Sequence, residues 1–323
     1  MTRILLTGAG FSRNWGGWLA SEAFEYLLGC AISPEVRLRL WTSKNRGGGF
    51  EETLADLQAE FSHSRDPNVG AMVDALTSAL LGMFNEMDKG FYNTKFEPQN
   101  ERIYQLGEFL LQFDAIFSLN QDLLLERHYL NGDIGLSPTR AWIGWQIPGV
   151  KLLEPGHQLL DPNLAMRTPM AEPFRLEPSR QPYFKLHGSS NWVREPGGRV
   201  IILGGNKAAG IAQEPLLRWY HEQFVARLQE DNCKLMVIGY SFGDRHINDA
   251  IMEAADLGRL GLFIVDPEGV DVLDKQKRIA IRSPQPLKER LDPRIVGASQ
   301  RSLSSTFGHD RVEHAKLLRF LTS

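Results

Sequence analysis

Six short apolar runs punctuate the chain: Arg3–Thr7, Ala115–Leu119, Tyr183–Leu186, Val200–Leu203, Leu235–Ile238 and Leu262–Val265, most of them running straight into Gly, Asn, Asp or His. Apolar runs without polar alternation are the pattern of strands buried on both faces, as in a parallel sheet whose strand ends feed functional loops. Long helical stretches separate several of the runs, so right-handed crossovers are the economical connection. The expected fold class is α/β, a Rossmann-like doubly wound parallel sheet of six strands.

Between Ser33 and Leu111 the period changes. Strand-like runs vanish, and apolar positions recur at helical spacing, as at Leu54, Leu57 and Phe61 within the acidic stretch Phe50–Phe61. This predicts a helical subdomain over residues 33–111 inserted into a single domain of residues 1–323, with its carboxylates on the outer face of a packed amphipathic helix. Residues 131–182 are rich in Pro, Gly and Trp and read as an irregular loop region. Residues 267–323 read as a C-terminal helical tail closing on an apolar helix over Val312–Leu321.

Composition narrows the class. With 42% hydrophobic and 23% charged residues, the chain has the make-up of a soluble globular protein. A net charge of −3 and a pI near 6.3 offer no general attraction to nucleic acid or anionic lipid, so neither direct nucleic-acid binding nor a membrane partner is expected. The opening MTRILLTGAGFSRN lacks the apolar segment of a signal peptide, and no stretch reaches membrane-spanning length. Cys30 and Cys233 are the only cysteines, too few for a disulfide framework or a four-cysteine zinc module, and a cytoplasmic setting is expected.

Candidate chemistry gathers where the apolar runs end. In GAGFS, Gly8 and Gly10 permit a tight turn before a helix, either as a phosphate cradle or as plain punctuation, and Ser12 could cap the helix. In FSLNQD, Asn120 and Asp122 offer an amide and a carboxylate to a ribose or carboxamide, or else form an Asx cap on the helix starting near Leu123. YFKLHGSSNW places His187 beside Gly188, where an imidazole can accept a proton near neutral pH. LMVIGYSFGDRHIND supplies Gly239, Ser241 and Gly243 to phosphate oxygens. Its Asp244, His246 and Asn248 also read as metal ligands, although a helix cap is the commoner explanation for Asp244. GYSFG further matches the nucleophile elbow of α/β-hydrolases, but only His246, His309 and His314 follow Ser241, none at a clear strand end. Asp266 ends the last apolar run, where an acid can hold an adenosine ribose.

Taken in order, GAGFS, SLNQD, KLHGSSNW, VIGYSFGDRHIN and VDP resemble the sirtuin family, and more closely its bacterial sirtuin-like branch of antiviral defence systems. The resemblance runs from Arg3 to about Pro267. It implies that Gly8, Ala9, Gly10, Phe11 and Ser12 bind the dinucleotide, with Asn120 and Asp122 at the nicotinamide ribose and carboxamide. His187 is then the general base, Gly239, Tyr240 and Ser241 hold phosphate or ribose, and Asp266 lies near the adenosine end. The missing cysteines, and NWGGWLASE in place of the Pro-Asp-Phe-Arg continuation of deacylases, shift the implied chemistry from deacylation to NAD+ hydrolysis. NAD+ is then a substrate and no metal is required. The alternatives are a non-catalytic NAD or ADP-ribose sensor, a deacylase or an ADP-ribosyltransferase. The resemblance also implies a homo-oligomer and a HerA-type ATPase as partner.

Overall fold

The computed structural model describes residues 1–130, 142–153, 166–194, 197–205, 207–278 and 287–322. Eleven strands are formed among them: β1 (Arg3–Thr7), β2 (Ala115–Ser118), β3 (Gly144–Gln146), β4 (Val150–Leu152), β5 (Arg167–Pro169), β6 (Arg180–Lys185), β7 (Gly188–Arg194), β8 (Gly198–Ile201), β9 (Cys233–Ile238), β10 (Leu260–Val265) and β11 (Ile295–Ser299). Seven make one parallel sheet in the order β11-β10-β9-β1-β2-β6-β3.

The α/β parallel sheet is the expected class, with seven strands instead of six. Val200–Leu203 is not among them. Its strand β8 begins four residues after β7 ends and pairs with it antiparallel, in a second sheet ordered β4-β5-β7-β8. The main sheet instead gains β3 and β11, one at each edge. Neither announces itself: β3 is the tripeptide GWQ inside the region read as irregular loop, and β11, IVGAS, is only partly buried and lies in the stretch read as a helical tail. Residues 131–141 and 154–165 of that loop region lie outside the described residues.

β1 occupies the middle of the sheet with Ile4, Leu5 and Leu6 fully buried, and the chain leaves it first towards β2 and later returns on its other side as β9. Such a reversal opens a crevice at the carboxyl ends of the strands, the usual ligand position in open α/β sheets.

Between β1 and β2 the chain is helical over Ala20–Gly29, Pro34–Asn45, Phe50–Ser64 and Pro67–Phe91. Ser33 and Asp66 start two of these helices by accepting the Val36 and Asn68 amides, each followed by a proline at the first helical position. The longest helix buries Val69, Met72, Leu76, Leu80, Met83, Met87 and Phe91, a three-to-four spacing that lays one stripe against the core. The last described helix is Arg311–Thr322. Among the described residues no helix is long and apolar enough to cross a membrane.

Candidate functional site

The turns after β1 and β9 press against each other. Gly8 donates its amide to the Ile238 carbonyl at 3.0 Å and Gly10 to the Gly239 carbonyl at 2.9 Å. A Cβ on Gly239, whose φ is +64°, would come within 2.3 Å of the Gly10 carbonyl carbon and the Phe11 nitrogen. A Cβ on Gly8 would meet the Gly239 oxygen at 2.5 Å. Glycine is therefore demanded here by a backbone crossing. The Gly10 amide, spent inside that crossing, is not offered to a phosphate in this conformation. Ala9 is exposed at the turn, while Phe11 and Ser12 are buried.

Ser12 does not cap the helix as expected. The helix runs Ala9–Arg13, Gly8 stands at its cap position, and the Ser12 hydroxyl instead accepts from Asn120. Asn120 Nδ2 donates to this hydroxyl and to the Gly8 carbonyl, both at 3.0 Å. A carbonyl can only accept, so the amide orientation is fixed and Oδ1 is left as its acceptor for a hydroxyl or water. Behind it the Ser118 hydroxyl accepts from the Asn120 amide at 3.1 Å and from Thr7 Oγ1 at 2.9 Å, joining the ends of β1 and β2.

Asp122 lies deeper. One carboxylate oxygen accepts the Leu124 amide at 3.0 Å, so the Asx turn at the start of the helix Leu124–His128 is real. Its carboxyl is raised above the ordinary range, first by burial. Beneath it is a buried polar core that sequence reasoning missed: Lys185, at the end of β6, donates to Glu126 at 2.7 Å, to the Asp122 carbonyl at 2.5 Å and to the Ser189 hydroxyl at 2.8 Å. Asp88, from the helix Pro67–Phe91, accepts the Leu123 amide at 2.8 Å and the Ser190 hydroxyl at 3.1 Å. Burial and the nearby Asp122 raise its carboxyl to about 8. The hydrophobic spacing of that helix gave no sign that its one buried acid reaches the loop after β2.

His187 falls in the turn between β6 and β7. The next residue, Gly188, has φ +73°, and a Cβ there would lie 2.1 Å from the Val200 oxygen of β8, so the close approach that its glycine permits is to β8. Burial lowers His187 to about 3 and His246 to about 4, leaving both imidazoles neutral near pH 7. Their Nε2 atoms are 3.1 Å apart.

Asp244 begins the helix Arg245–Asp256 but does not cap it with its side chain, which accepts from Lys207 at 2.8 Å. Burial raises the Asp244 carboxyl, but Lys207 and the imidazoles beside it outweigh this and hold it below its ordinary value. Lys207 also meets Glu51, from the helix Phe50–Ser64, at 3.0 Å. Asn248, one of the metal ligands read from the sequence, is turned elsewhere, to the Tyr240 hydroxyl and the Phe242 carbonyl. His187, Asp244 and His246 do converge, with one donor atom of each within 4.8 Å of the others. With an ammonium already on the Asp244 carboxylate, we read the group as an ion-paired hydrogen-bond network.

Tyr240 is buried and its hydroxyl accepts the Asp244 amide at 2.9 Å, so it clamps its own loop. Ser241 is exposed on that loop. Asp266, half-buried after β10, accepts the Glu268 amide at 2.9 Å. The structure thus brings Gly8, Gly10, Ser12, Asn120, Gly239 and, through its neighbour Leu119, His187 to one edge of the sheet. Asp266 stands one strand further out, beyond β9.

No curated protein matches the chain. The SIR2-like domain matches residues 114–285, just over half of the chain, from the end of the helical segment through β10. That match points to NAD-related activity of the chain in general. It includes Asn120, Asp122, His187, Gly239, Tyr240, Ser241 and Asp266, and it leaves the Gly8–Ser12 turn outside. With its parallel sheet, its strand-end amide and imidazole, and this match, the chain belongs to the SIR2-like domain family.

Proposed function

We propose that the chain is an NAD+ glycohydrolase. The C1′–N bond to nicotinamide breaks with its electron pair leaving on the nicotinamide nitrogen, a water oxygen bonds to C1′, and the water's proton is taken up, giving nicotinamide and ADP-ribose. The observation that carries this reading is the arrangement of Asn120. Its nitrogen is committed to Gly8 and Ser12, so Oδ1 is the atom that can orient a ribose hydroxyl or water. His187, whose ring hydrogen-bonds the backbone of Leu119 immediately before Asn120, is neutral and can take the proton once its Nε2 is released from His246. Asp122 would hold the leaving carboxamide. Gly8, Ala9, Gly10, Phe11, Ser12, Gly239, Tyr240, Ser241 and Asp266 would line the rest of the dinucleotide site.

Hydrolysis is favoured over deacylation because two cysteines cannot build the zinc module of protein deacylases. The proposal extends to an anti-phage role by NAD+ depletion, as a homo-oligomer with a HerA-type ATPase. The motif order of the defence branch supports that setting, and so does the harm that unregulated NAD+ loss would do a cell. Purified protein, alone and with such an ATPase, is incubated with NAD+ and nicotinamide is quantified. Release that disappears in Asn120→Ala and His187→Ala supports the reading; no release under either condition sinks it. The non-catalytic sensor is favoured by one observation, that His187 is already hydrogen-bonded within the protein. It predicts dinucleotide binding without nicotinamide release.

A further inference from the structure

Both nitrogens of His187 are in use. Nε2 meets His246 Nε2 at 3.1 Å, and the hydrogen bond of the ring with the Leu119 backbone favours the protonated imidazole, the sense of a carbonyl acceptor, and so falls to the other nitrogen. A backbone carbonyl only accepts, so His187 carries its proton on Nδ1 and a lone pair on Nε2, and His246 is the donor of the pair. A base whose lone pair is filled by a neighbour takes no proton from a substrate until that neighbour leaves.

Two features mark where His246 can go. It is half-buried on the wall of a cleft of about 580 Å³, beside Lys207, Gly243 and Asp244, so one side of the residue is not packed against protein. On the helix Pro215–Leu228, His221 holds an Nε2 that is buried and has no hydrogen-bond partner among the described residues. The His221 ring centroid is 5.8 Å from that of His246, against 5.2 Å from His246 to His187. A buried polar nitrogen left unmatched calls for an explanation, and a partner that arrives in a second state is one.

We infer that His246 is a two-position gate on the base, seated on His187 in the ligand-free protein and turned to His221 when the dinucleotide is bound. The inference rests on NAD+ being the ligand of this site, and not on that ligand being cleaved. In the first position the His246 N–H fills the His187 lone pair. In the second a ribose hydroxyl or water takes its place, and the N–H is satisfied by His221. Asp244, two residues earlier and tied to Lys207 and through it to Glu51, holds the start of the helix from which the ring swings.

Protein labelled with 15N-histidine tests this directly. A coupling between the two Nε2 atoms across the shared proton is expected in the free protein, and is expected to vanish on saturation with NAD+ or with ADP-ribose. No coupling in the free protein, or one that persists with ligand, overturns the gate. Nicotinamide measured in the same samples, without and with the ATPase, tests the proposed reaction separately, since a coupling lost with no release under either condition leaves the gate standing and removes the hydrolase. By calorimetry, His246→Ala removes the competitor and lowers the dissociation constant for NAD+ about two- to tenfold, the range of one net hydrogen bond. His221→Phe removes the second position and raises the constant by a similar factor. Weaker binding by His246→Ala, or no change in either variant, overturns the inference.

Discussion

Asn120 Nδ2 lies 3.0 Å from the Gly8 carbonyl and 3.0 Å from the Ser12 hydroxyl, and so ties the end of β2 to the turn after β1. Asn120→Asp sets an oxygen against the carbonyl where a donor is needed. Removing a buried donor costs about 1–3 kcal/mol, so the melting temperature should fall. Nicotinamide release should drop about a hundredfold or more, the scale seen when a positioned polar group is lost from a reacting centre. Full activity in this variant would remove Asn120 from the mechanism.

The Lys185 ammonium has no exposed side-chain surface, and the Glu126 carboxylate 2.7 Å away has 9%. Lys185→Met leaves that carboxylate and the Asp122 carbonyl facing an apolar chain. The expected loss is about 3–5 kcal/mol by chemical denaturation. Adding Glu126→Leu should recover a large part of it, because the uncompensated charge is then gone. A single variant as stable as wild type would show that water reaches the site.

Asp88 makes stability depend on pH. Its carboxyl, raised from 3.8 to about 8, keeps a proton in the native protein that the unfolded chain releases. Between those values the native state binds the extra proton, so its contribution falls as pH rises from about 4 to about 8. His187 and His246, lowered from 6.5 to about 3 and about 4, act oppositely: the unfolded chain binds their protons first, and stability is lost as pH falls below about 6.5. Asp88→Asn keeps an acceptor for the Leu123 amide and removes the titration. Its melting temperature should fall less than that of wild type between about pH 6 and about pH 8; parallel curves would refute the assignment.

Gly239→Ala tests the crossing of the two turns. The positive φ and a 2.3 Å approach to Gly10 and Phe11 cannot both be kept, so the turns must part. Expected are a destabilisation of about 1–3 kcal/mol and weaker NAD+ binding by calorimetry. Gly16→Ala is the control for a glycine with positive φ but open space around it, and it should leave binding unchanged.

Where a run of apolar residues is long enough to be buried on both faces, the sequence is a sound guide. β1, β2, β6, β9 and β10 all lie within two or three residues of the runs that predicted them. β3 escaped because it has only three residues, β11 because Gly297 breaks its apolar pair Ile295–Val296 and the strand is only partly buried, and Val200–Leu203 misled because a run of that length says nothing about which sheet it joins. The motifs located Asn120, Asp122 and His187, since polar residues that end apolar runs stand out. Lys185 and Asp88 did not, because a buried charge is legible only through partners distant in sequence: Glu126 for one, Leu123 and Ser190 for the other. The same holds for His221, an ordinary helical residue until its nitrogen is found buried beside His246.

The position of β1 has a consequence for how the protein is made. Its neighbours are β2, more than a hundred residues later, and β9, more than two hundred later. During synthesis the strand at the middle of the sheet must wait, bare on both edges, while the helices that follow it assemble without a sheet to rest on. Only when Cys233–Ile238 has left the ribosome can Gly239 meet Gly10. The crossing of the β1 and β9 turns is therefore a late part of the molecule to form, and a nascent chain stalled before that point lacks it.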